Sequence, residues 1–410
     1  MLLLGRQLTL RGIHCEYWFC KPSNRLAEFL ETGRATVGSL SRLAARAERG
    51  DFDVIHMTAS DEAAPLVSRL AGSARVVVTA RGGLAEGWNH KTCFAYTAIS
   101  EGMADVNQSY TDLEIEVVRN AIDIDRFSPP PALTGGAPIV AFVGRATAPE
   151  KDFPRFTRIA RRLAAAGARI WIADAHQSSW TAFAGKDVDE LSVERWAPVP
   201  HAEMPDFYRA VAASGGVVVI TSQREGFGNV APEAAACGAR VAAPDVMGLR
   251  EAMVDGVTGR LFAADASDDV VANMLQQWME SPHDMDACAS AARSTYSPSV
   301  LADKYVSLYS RTEQKLATHS AREVEYPERG MLLEHLSRQR VWRARAANQA
   351  ALDYASAGYA DLALSALAAG FRASPRQLAS RSGSTQFLTT LRRLAGRSAV
   401  RRLASRLGKR

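Results

Sequence analysis

Residues Val217-Val-Val-Ile-Thr-Ser-Gln-Arg-Glu-Gly-Phe-Gly-Asn-Val-Ala-Pro-Glu-Ala-Ala-Ala-Cys-Gly238 combine an apolar run, a glycine-containing turn and a helical pattern. The apolar run predicts a buried strand at Val217–Ile220, and the following pattern predicts a helix at Val230–Ala236. Pro232 suits the first turn of that helix, because the first amides of a helix have no intrahelical partner. A strand, a turn and a helix in this order indicate one unit of a parallel α/β sheet.

Two glutamates bracket the turn in this stretch. Glu225 and Glu233 are separated by seven residues, with Gly226 and Gly228 between them. Glycine lets a backbone approach a ligand closely, and the start of a helix favours a bound diphosphate. The glycines alone are typical of an ordinary β–α turn. The two carboxylates favour a nucleotide-sugar site, one binding sugar hydroxyls and the other ribose hydroxyls.

The sequence on both sides of this stretch alternates short apolar strands with amphipathic helices from about residue 10 to residue 275. A run rich in proline and glycine interrupts the alternation and predicts an interdomain linker at 129–137. The pattern therefore predicts two α/β domains with parallel sheets, at 1–128 and 138–315. The predicted strands are His14–Phe19, Val54–Met57, Arg75–Thr79, Ala95–Ile99, Ile139–Val143, Ala168–Ile172, Val217–Ile220 and Arg240–Ala242, and a further helix is predicted at Phe153–Ala166.

The part of the chain after about residue 280 has only helical patterns, beginning with Leu301–Tyr309. We predict a helical extension at 316–410. Within it, Gln349–Pro375 is similar to one tetratricopeptide unit, but one such unit cannot bury its own apolar face. A helical pair packed on the body of the protein is therefore favoured over a peptide-binding array.

Charge is distributed unevenly along the chain. Residues 371–410 carry eleven Arg or Lys and no acidic residue, and without them the net charge of +5 becomes −6. The basicity therefore belongs to the tail and the rest of the chain is mildly acidic, so the positive net charge of the whole chain does not predict a nucleic-acid partner. Arg-rich amphipathic segments bind anionic membrane surfaces, so 376–410 predicts peripheral attachment at the inner face of a membrane. A solvated helix or a disordered tail is the alternative.

Cysteine usage and apolar runs indicate the cellular compartment. The five cysteines are scattered, and no Cys-x-x-Cys pair occurs among them. They therefore predict neither a disulfide framework nor a zinc site, and a cytoplasmic location follows. Apolar runs such as Val217–Ile220 are too short to cross a bilayer.

The stretch from Glu225 to Glu233 resembles the E-x7-E signature of retaining GT-B glycosyltransferases, in glycosyltransferase family 4. Further segments resemble the motifs of that family in the same order, so that the resemblance covers roughly residues 10–310. These segments are Thr97-Ala-Ile-Ser-Glu101, Val118-Arg-Asn-Ala-Ile-Asp-Ile-Asp-Arg-Phe127, Val143-Gly-Arg-Ala-Thr-Ala-Pro-Glu-Lys151, Pro244-Asp-Val-Met-Gly-Leu-Arg-Glu251 and Asp255-Gly-Val-Thr-Gly259.

The resemblance implies a GT-B architecture, with two Rossmann-like domains whose parallel sheets face each other across a cleft. It implies retaining transfer of a sugar from a UDP- or GDP-sugar to a hydroxyl of a glycan or lipid-linked acceptor, in cell-surface polysaccharide biosynthesis. It also implies no metal and no cofactor beyond the nucleotide-sugar co-substrate. A catalytically inactive scaffold on the same fold is the alternative.

The site residues are carried over from the matching motifs. Arg145 and Lys151 would clamp the diphosphate and offset the charge of the leaving group. Glu225 would contact the transferred sugar, Glu233 the ribose, and Arg81 the leaving phosphate or an anionic acceptor. Further donor-binding candidates are Thr221, Ser222, Gly226, Phe227, Gly228, Asn229 and Val230, and the acceptor-side candidates are His56, Gly82, Ser100 and Asn120. A satisfied core histidine is an equally good interpretation of His56.

The sequence departs from the family pattern in four ways. Arg81 stands where many relatives have a histidine, and a guanidinium cannot act as a base. Arg145 and Lys151 are one residue further apart than is usual, and Ala121 replaces a glycine. Leu2–Gly12 predicts the first helix and Ile13–Phe19 the second strand, so we expect the first strand to be missing and the true start of the protein to lie upstream.

Overall fold

The computed structural model describes residues 1–19, 26–30, 33–37, 40–58, 73–81, 94–108, 114–132, 135–174, 191 and 193–311, with Ala351, Leu367, Ala368, Phe371 and Thr389. Apart from those single positions, the predicted helical pair and the basic tail lie outside the described residues, as does Gly82. Among the described helices, none is long and apolar enough to cross a membrane.

The chain divides into two compact units. The first contains Phe52–Ala321 with Met1 and Leu3, and the second contains Leu2, Leu4–Asp51 and Arg322–Arg410. The predicted domain boundaries at 128, 138 and 315 stay predictions.

The second unit contains a two-stranded parallel sheet. Strand β1 (Glu16–Phe19) pairs with β2 (Arg34–Val37). The Glu16 carboxylate accepts hydrogen bonds from Arg46 Nη1 at 2.7 Å and from Thr36 Oγ1 at 3.1 Å. The helices that begin in residues 1–51 are α1 (Leu2–Leu10), α2 (Leu26–Leu30) and α3 (Leu40–Glu48).

The first unit contains two parallel sheets. The smaller has the order β3-β4-β5-β6, with strands β3 (Val54–Thr58), β4 (Arg75–Ala80), β5 (Ala95–Ala98) and β6 (Ile115–Val117). All four residues of β5 are buried, as expected for a parallel strand covered on both faces. Helix α4 (Glu101–Gln108) begins three residues after β5 ends.

The larger sheet has six parallel strands in the order β12-β11-β10-β7-β8-β9. From β7 the chain first adds strands on one side and then returns to add β10 on the other side of β7. The carboxyl ends of β7 and β10 therefore flank a topological switch point, where open α/β sheets bind ligands. The strands are β7 (Ile139–Val143), β8 (Arg169–Ala173), β9 (Val193–Ala197), β10 (Val217–Val219), β11 (Arg240–Pro244) and β12 (Arg260–Phe262).

Helices connect the strands of the larger sheet and continue after it. They are a 3₁₀ turn at Pro149–Lys151, α5 (Phe153–Ala165), α6 (Met204–Ala213), α7 (Val230–Ala236), α8 (Leu249–Ala252), α9 (Asp268–Glu280), α10 (Met285–Thr295) and α11 (Pro298–Tyr309).

The core of the larger sheet contains three phenylalanines on β7 and α5. Phe142 packs against Phe153 and Phe156 with ring centroids 5.0 and 5.1 Å apart. All three side chains are buried, and burying a side chain of this size contributes about 1.5–3 kcal/mol. This packing fixes α5, and with it the 3₁₀ turn before α5, against the end of β7.

The predicted α/β class with parallel sheets is confirmed, and each of the eight predicted strands overlaps an observed one. Four strands were not predicted, namely β2, β6, β9 and β12. All four are at most five residues long and lie at an edge of their sheet, where polar side chains obscure the apolar pattern.

Candidate active site

The candidate site lies at the switch point between β7 and β10. The loop after β7 carries Arg145 and Lys151, and the loop after β10 carries Glu225. Both loops leave the carboxyl ends of neighbouring strands, which pair in parallel through Val217 and Val140. The topology therefore brings together residues that are about 75 positions apart in the sequence.

Lys151 and Glu225 form an ion pair at this edge. Lys151 Nζ contacts Glu225 Oε1, and the two side chains are only 18% and 16% exposed. Ser222 Oγ donates a second hydrogen bond to the same carboxylate oxygen at 2.8 Å. A cation and a carboxylate thus lie side by side, the first suited to a phosphate and the second to sugar hydroxyls.

The turn that carries Lys151 is tied to the end of β10. Thr221 Oγ1 donates to the Lys151 carbonyl at 2.8 Å, and the Gln223 amide donates to the Glu150 carbonyl at 2.8 Å. Asp152 adopts a left-handed backbone with φ of 45°, and its carboxylate accepts from the Arg155 amide at the start of α5. Thr221 therefore supports the position of Lys151 through the backbone.

Arg145 lies on the same loop but has a different partner. Its side chain is 54% exposed, and its Nη2 donates to Glu150 Oε1 at 2.8 Å. Exposed ion pairs contribute only about 0–1 kcal/mol, so Arg145 can exchange this carboxylate for a phosphate at little cost.

Glu233 lies in helix α7 and has two polar neighbours that the sequence analysis did not identify. Tyr208 Oη donates to Glu233 Oε2 at 3.5 Å, and His201 Nε2 lies 3.8 Å from Glu233 Oε1. Burial and the Glu233 carboxylate raise the pKa of Tyr208 well above its usual value, so its hydroxyl stays protonated. A tyrosine in a helix gives no sequence signal for this role, because most such side chains only pack.

The two glycines between the glutamates are explained by protein contacts. A Cβ on Gly226 would lie 3.1 Å from the Arg81 carbonyl oxygen, and a Cβ on Gly228 would lie 2.6 Å from Leu249 Cδ2. Gly228 also has φ of +86°, which favours glycine. That these glycines admit a ligand stays a prediction. Phe227 between them is buried and contacts the ring of Tyr296 at 5.9 Å between centroids.

Two acceptor-side candidates contact the loop between the glutamates. Ser100 Oγ donates to the Gly226 carbonyl at 2.7 Å, and Asn120 Nδ2 donates to Asn229 Oδ1 at 3.0 Å. Arg81 is exposed at the end of β4. Val230 is the first residue of α7, and Asn229 precedes it without a capping side-chain hydrogen bond.

His56, the remaining acceptor-side candidate, lies within a partly buried polar network. Its Nδ1 is 2.6 Å from Tyr309 Oη, and its Nε2 is 2.6 Å from Thr79 Oγ1. Burial, with a smaller contribution from positive charge that includes Arg81, lowers the pKa of His56 to about 3, so the imidazole is neutral at pH 7. Both ring nitrogens have partners within the protein. The contacts favour the interpretation of His56 as a satisfied core histidine.

Part of the chain matches a known protein family. Residues 137–280 match the family model described as glycosyl transferases group 1. These residues span from β7 to the end of α9 and therefore contain Lys151, Glu225 and Glu233.

Curated relatives match over part of their length. The D-inositol 3-phosphate glycosyltransferase of Mycobacterium avium (strain 104) is 34% identical over 221 residues, which are 50% of this chain and 51% of the relative. The protein of the same name from Streptosporangium roseum is 42% identical over 95 residues, 23% of this chain and 21% of the relative. The chain thus spans about half the length, or less, of the curated relatives that it matches.

Solved structures show the same fold at low sequence identity. A glycosyltransferase from Rickettsia africae ESF-5 aligns with a TM-score of 0.64 and 14% identity over 75% of this chain and 92% of that protein. The Anabaena protein HepE, solved in complex with UDP-glucose, aligns with a TM-score of 0.57 and 15% identity over 75% of this chain and 94% of that protein. Residues 137–280 are thus similar to the glycosyl transferases group 1 family, and the chain has the GT-B fold.

Proposed function

We propose that the protein is a retaining glycosyltransferase that takes a sugar from a nucleotide-diphosphate donor and transfers it to a hydroxyl. The observation that carries this proposal is the ion pair of Lys151 and Glu225 at the switch point between β7 and β10. Two similar proteins support the proposal. HepE was solved in complex with UDP-glucose, and the relative from Mycobacterium avium is named a D-inositol 3-phosphate glycosyltransferase.

The proposed reaction breaks the bond between the sugar C1 and the oxygen of the diphosphate. The electron pair of that bond goes to the leaving phosphate oxygen, and Lys151 and Arg145 offset the negative charge. The acceptor hydroxyl forms the new bond to C1 on the face that the leaving group departs from, and its proton passes to the phosphate. Glu225 holds the sugar hydroxyls, and Glu233, oriented by Tyr208, holds the ribose.

Donor binding is tested by calorimetric titration with UDP, GDP and ADP. We expect micromolar binding of one nucleotide by the unmodified chain, and at least tenfold weaker binding by both Glu233→Ala and Arg145→Ala. Arg158→Ala is the matched control. Arg158 of α5 pairs with Asp268 of α9, and its replacement should leave the affinity unchanged. A well-folded chain that binds none of the three nucleotides would favour the scaffold function instead.

The acceptor is proposed to be a hydroxyl of a glycan or a lipid-linked sugar in cell-envelope polysaccharide biosynthesis. The names of the relatives make D-inositol 3-phosphate the first soluble acceptor to compare with these. Transfer from the preferred donor to each acceptor, followed by NMR of the new anomeric centre, identifies the acceptor and tests retention. A product with inverted configuration would contradict the retaining mechanism. Repeating the assay with EDTA tests the proposed independence of a metal.

Attachment to an anionic membrane surface through residues 376–410 is a further part of the proposal. After sedimentation with vesicles of phosphatidylglycerol and phosphatidylcholine, the full chain should be found in the pellet. A chain that ends at residue 375 should stay in the supernatant. Equal binding of the two chains would remove the membrane role.

A further inference from the structure

The loop that carries Glu225 is held by residues that lie more than 100 positions earlier in the chain. Ser100, at the end of β5, donates its hydroxyl hydrogen to the Gly226 carbonyl at 2.7 Å. The same oxygen accepts from the Met103 amide at 3.1 Å and so caps helix α4. Ser100 is fully buried, so its hydroxyl has no competing water. Its two hydrogen bonds fix the direction of the O–H bond toward Gly226.

A second contact joins α4 to α8, the short helix that follows β11. The Glu251 carboxylate accepts from the amide of Glu101 at 2.6 Å and from the amide of Gly102 at 3.2 Å. Arg119 Nε lies 3.6 Å from the same carboxylate, which is only 11% exposed. Glu251 therefore accepts from two amides at the start of α4 that do not bond to Ser100.

The loop after β11 in turn supports the backbone of Glu225. The Glu225 amide donates to the Met247 carbonyl at 3.3 Å. A Cβ on Gly248 would overlap the Glu225 carbonyl, and a Cβ on Gly102 would overlap the Met247 side chain. The start of α4, Met247 and the Glu225 backbone are thus in close contact at Gly102 and Gly248.

From these contacts we infer that Ser100 and Glu251 are positioning residues, which hold the backbone of Glu225 and Gly226 in the geometry that the Glu225 carboxylate needs to contact the transferred sugar. The inference rests on the proposed function for the role of Glu225. Ser100 acts on the peptide that follows Glu225, and Glu251 acts through α4 and Met247. The hydrogen bonds of Ser100 and Glu251 described above go to Gly226 and to the start of α4, so neither side chain is expected to affect nucleotide binding directly.

Ser100→Ala tests the first of these roles. We expect kcat for UDP-glucose hydrolysis, or for the preferred donor sugar if titration identifies another, to fall about 10–100-fold, since small displacements of a reacting group have effects of this size. The Kd for the free nucleotide should stay within threefold of that of the unmodified chain. Ser100→Thr, which keeps the hydroxyl, should recover most of kcat. Ser294→Ala is the matched control, because Ser294 is exposed and bonds only within α10.

Hydrogen exchange gives a readout that does not depend on turnover. The amides of residues 225–229 should exchange at least tenfold faster in Ser100→Ala than in Ser294→Ala, while those of β7 stay unchanged. Faster exchange in an enzyme whose unmodified form shows no turnover would mean that the proposed function fails and the positioning of the loop holds. Unchanged exchange, or a kcat within twofold of the control, would overturn the inference.

Glu251→Gln is a second variant, which tests the inference if Ser100→Ala does not fold because α4 is no longer capped. The amide keeps the shape of the side chain but has one acceptor oxygen instead of two. A reduced kcat with an unchanged nucleotide Kd would support the inference. A kcat and an exchange rate both equal to those of the unmodified chain would contradict it.

Discussion

At the scale of single residues, the pKa of His56 makes the stability of the protein depend on pH in the acid range. Its pKa is lowered to about 3 by burial, against an ordinary value of 6.5. The unfolded state therefore takes up a proton that the folded state does not. Stability is fully present above pH 6.5 and decreases as the pH falls from 6.5 towards 3, by up to about 1.4 kcal/mol per pH unit.

We expect urea unfolding to show this decrease between pH 6.5 and 5, before most carboxylates titrate. In His56→Phe the ring volume is kept and the titration is removed. That variant should be less stable at pH 7, because Thr79 and Tyr309 lose a partner, but its stability should depend less on pH. Equal slopes in the two proteins would contradict the assignment of this pH dependence to His56.

The sequence predicted which residues of the site carry charge, but it did not predict their partners. The spacing from Glu225 to Glu233 and the order of motifs were sufficient to select Lys151, and the parallel fold then explains why Lys151 and Glu225 meet. Tyr208 could not be selected in this way, and Glu251 ends one of the matching segments but was given no role. Their roles depend on contacts between distant elements, and neither residue type is diagnostic by itself.

At the scale of elements, Gly216 determines how β10 enters the larger sheet. A Cβ at this position would overlap the backbone of Ile139 at the start of β7. Backbone atoms of a paired strand cannot move aside as a flexible side chain can. Gly216→Ala is therefore expected to separate the first pair of residues between β10 and β7, at the edge of the sheet opposite the loops that carry the site.

We expect Gly216→Ala to lower the free energy of unfolding by about 3 kcal/mol or more, at the upper end of overpacking effects. Gly167→Ala is the matched control. Gly167 has φ of +95° but open space around it, so only the backbone strain of about 1–2 kcal/mol is expected. Urea unfolding of both variants measures the difference, and an equal loss in the two would refute the argument from close packing.

The central strands were predicted because their residues are apolar on both faces, whereas the edge strands were not. All five residues of β11 are buried, but in β12 Arg260 is exposed and Leu261 is only partly buried. An apolar run of three residues is too short to distinguish a strand from a loop. The order of the six strands was likewise not predicted, since sequence alone does not say on which side of β7 the chain returns.

At the scale of the whole molecule, residues 52–321 place the four-stranded and the six-stranded sheet in one compact unit. Helix α11 follows the larger sheet in sequence, yet its residues bond to the smaller one. Tyr305 Oη lies 3.0 Å from Thr79 Oγ1 and 3.2 Å from Thr97 Oγ1, and Arg75 donates to the Tyr309 carbonyl at 2.6 Å. These bonds are largely buried, so breaking them exposes unpaired polar groups.

We therefore expect the two sheets to unfold in one transition, although the sequence predicts two domains with a linker at 129–137. If both sheets unfold in one transition, a nucleotide that binds beside Glu233 stabilises both of them. At 100 times its Kd it adds about 2.7 kcal/mol, and so raises the Tm by about 5 °C or more. Hydrogen exchange in β4 should slow together with exchange in β10, because both report the same global opening.

Calorimetry of the unmodified chain with and without UDP, or with whichever nucleotide binds, measures the increase in Tm. Tyr305→Phe, which removes a hydroxyl from the buried network, should lower the Tm of that same transition. Two resolved transitions for residues 52–321, of which only one responds to the nucleotide, would show instead that the sheets unfold independently and that α11 contributes little to their cooperation.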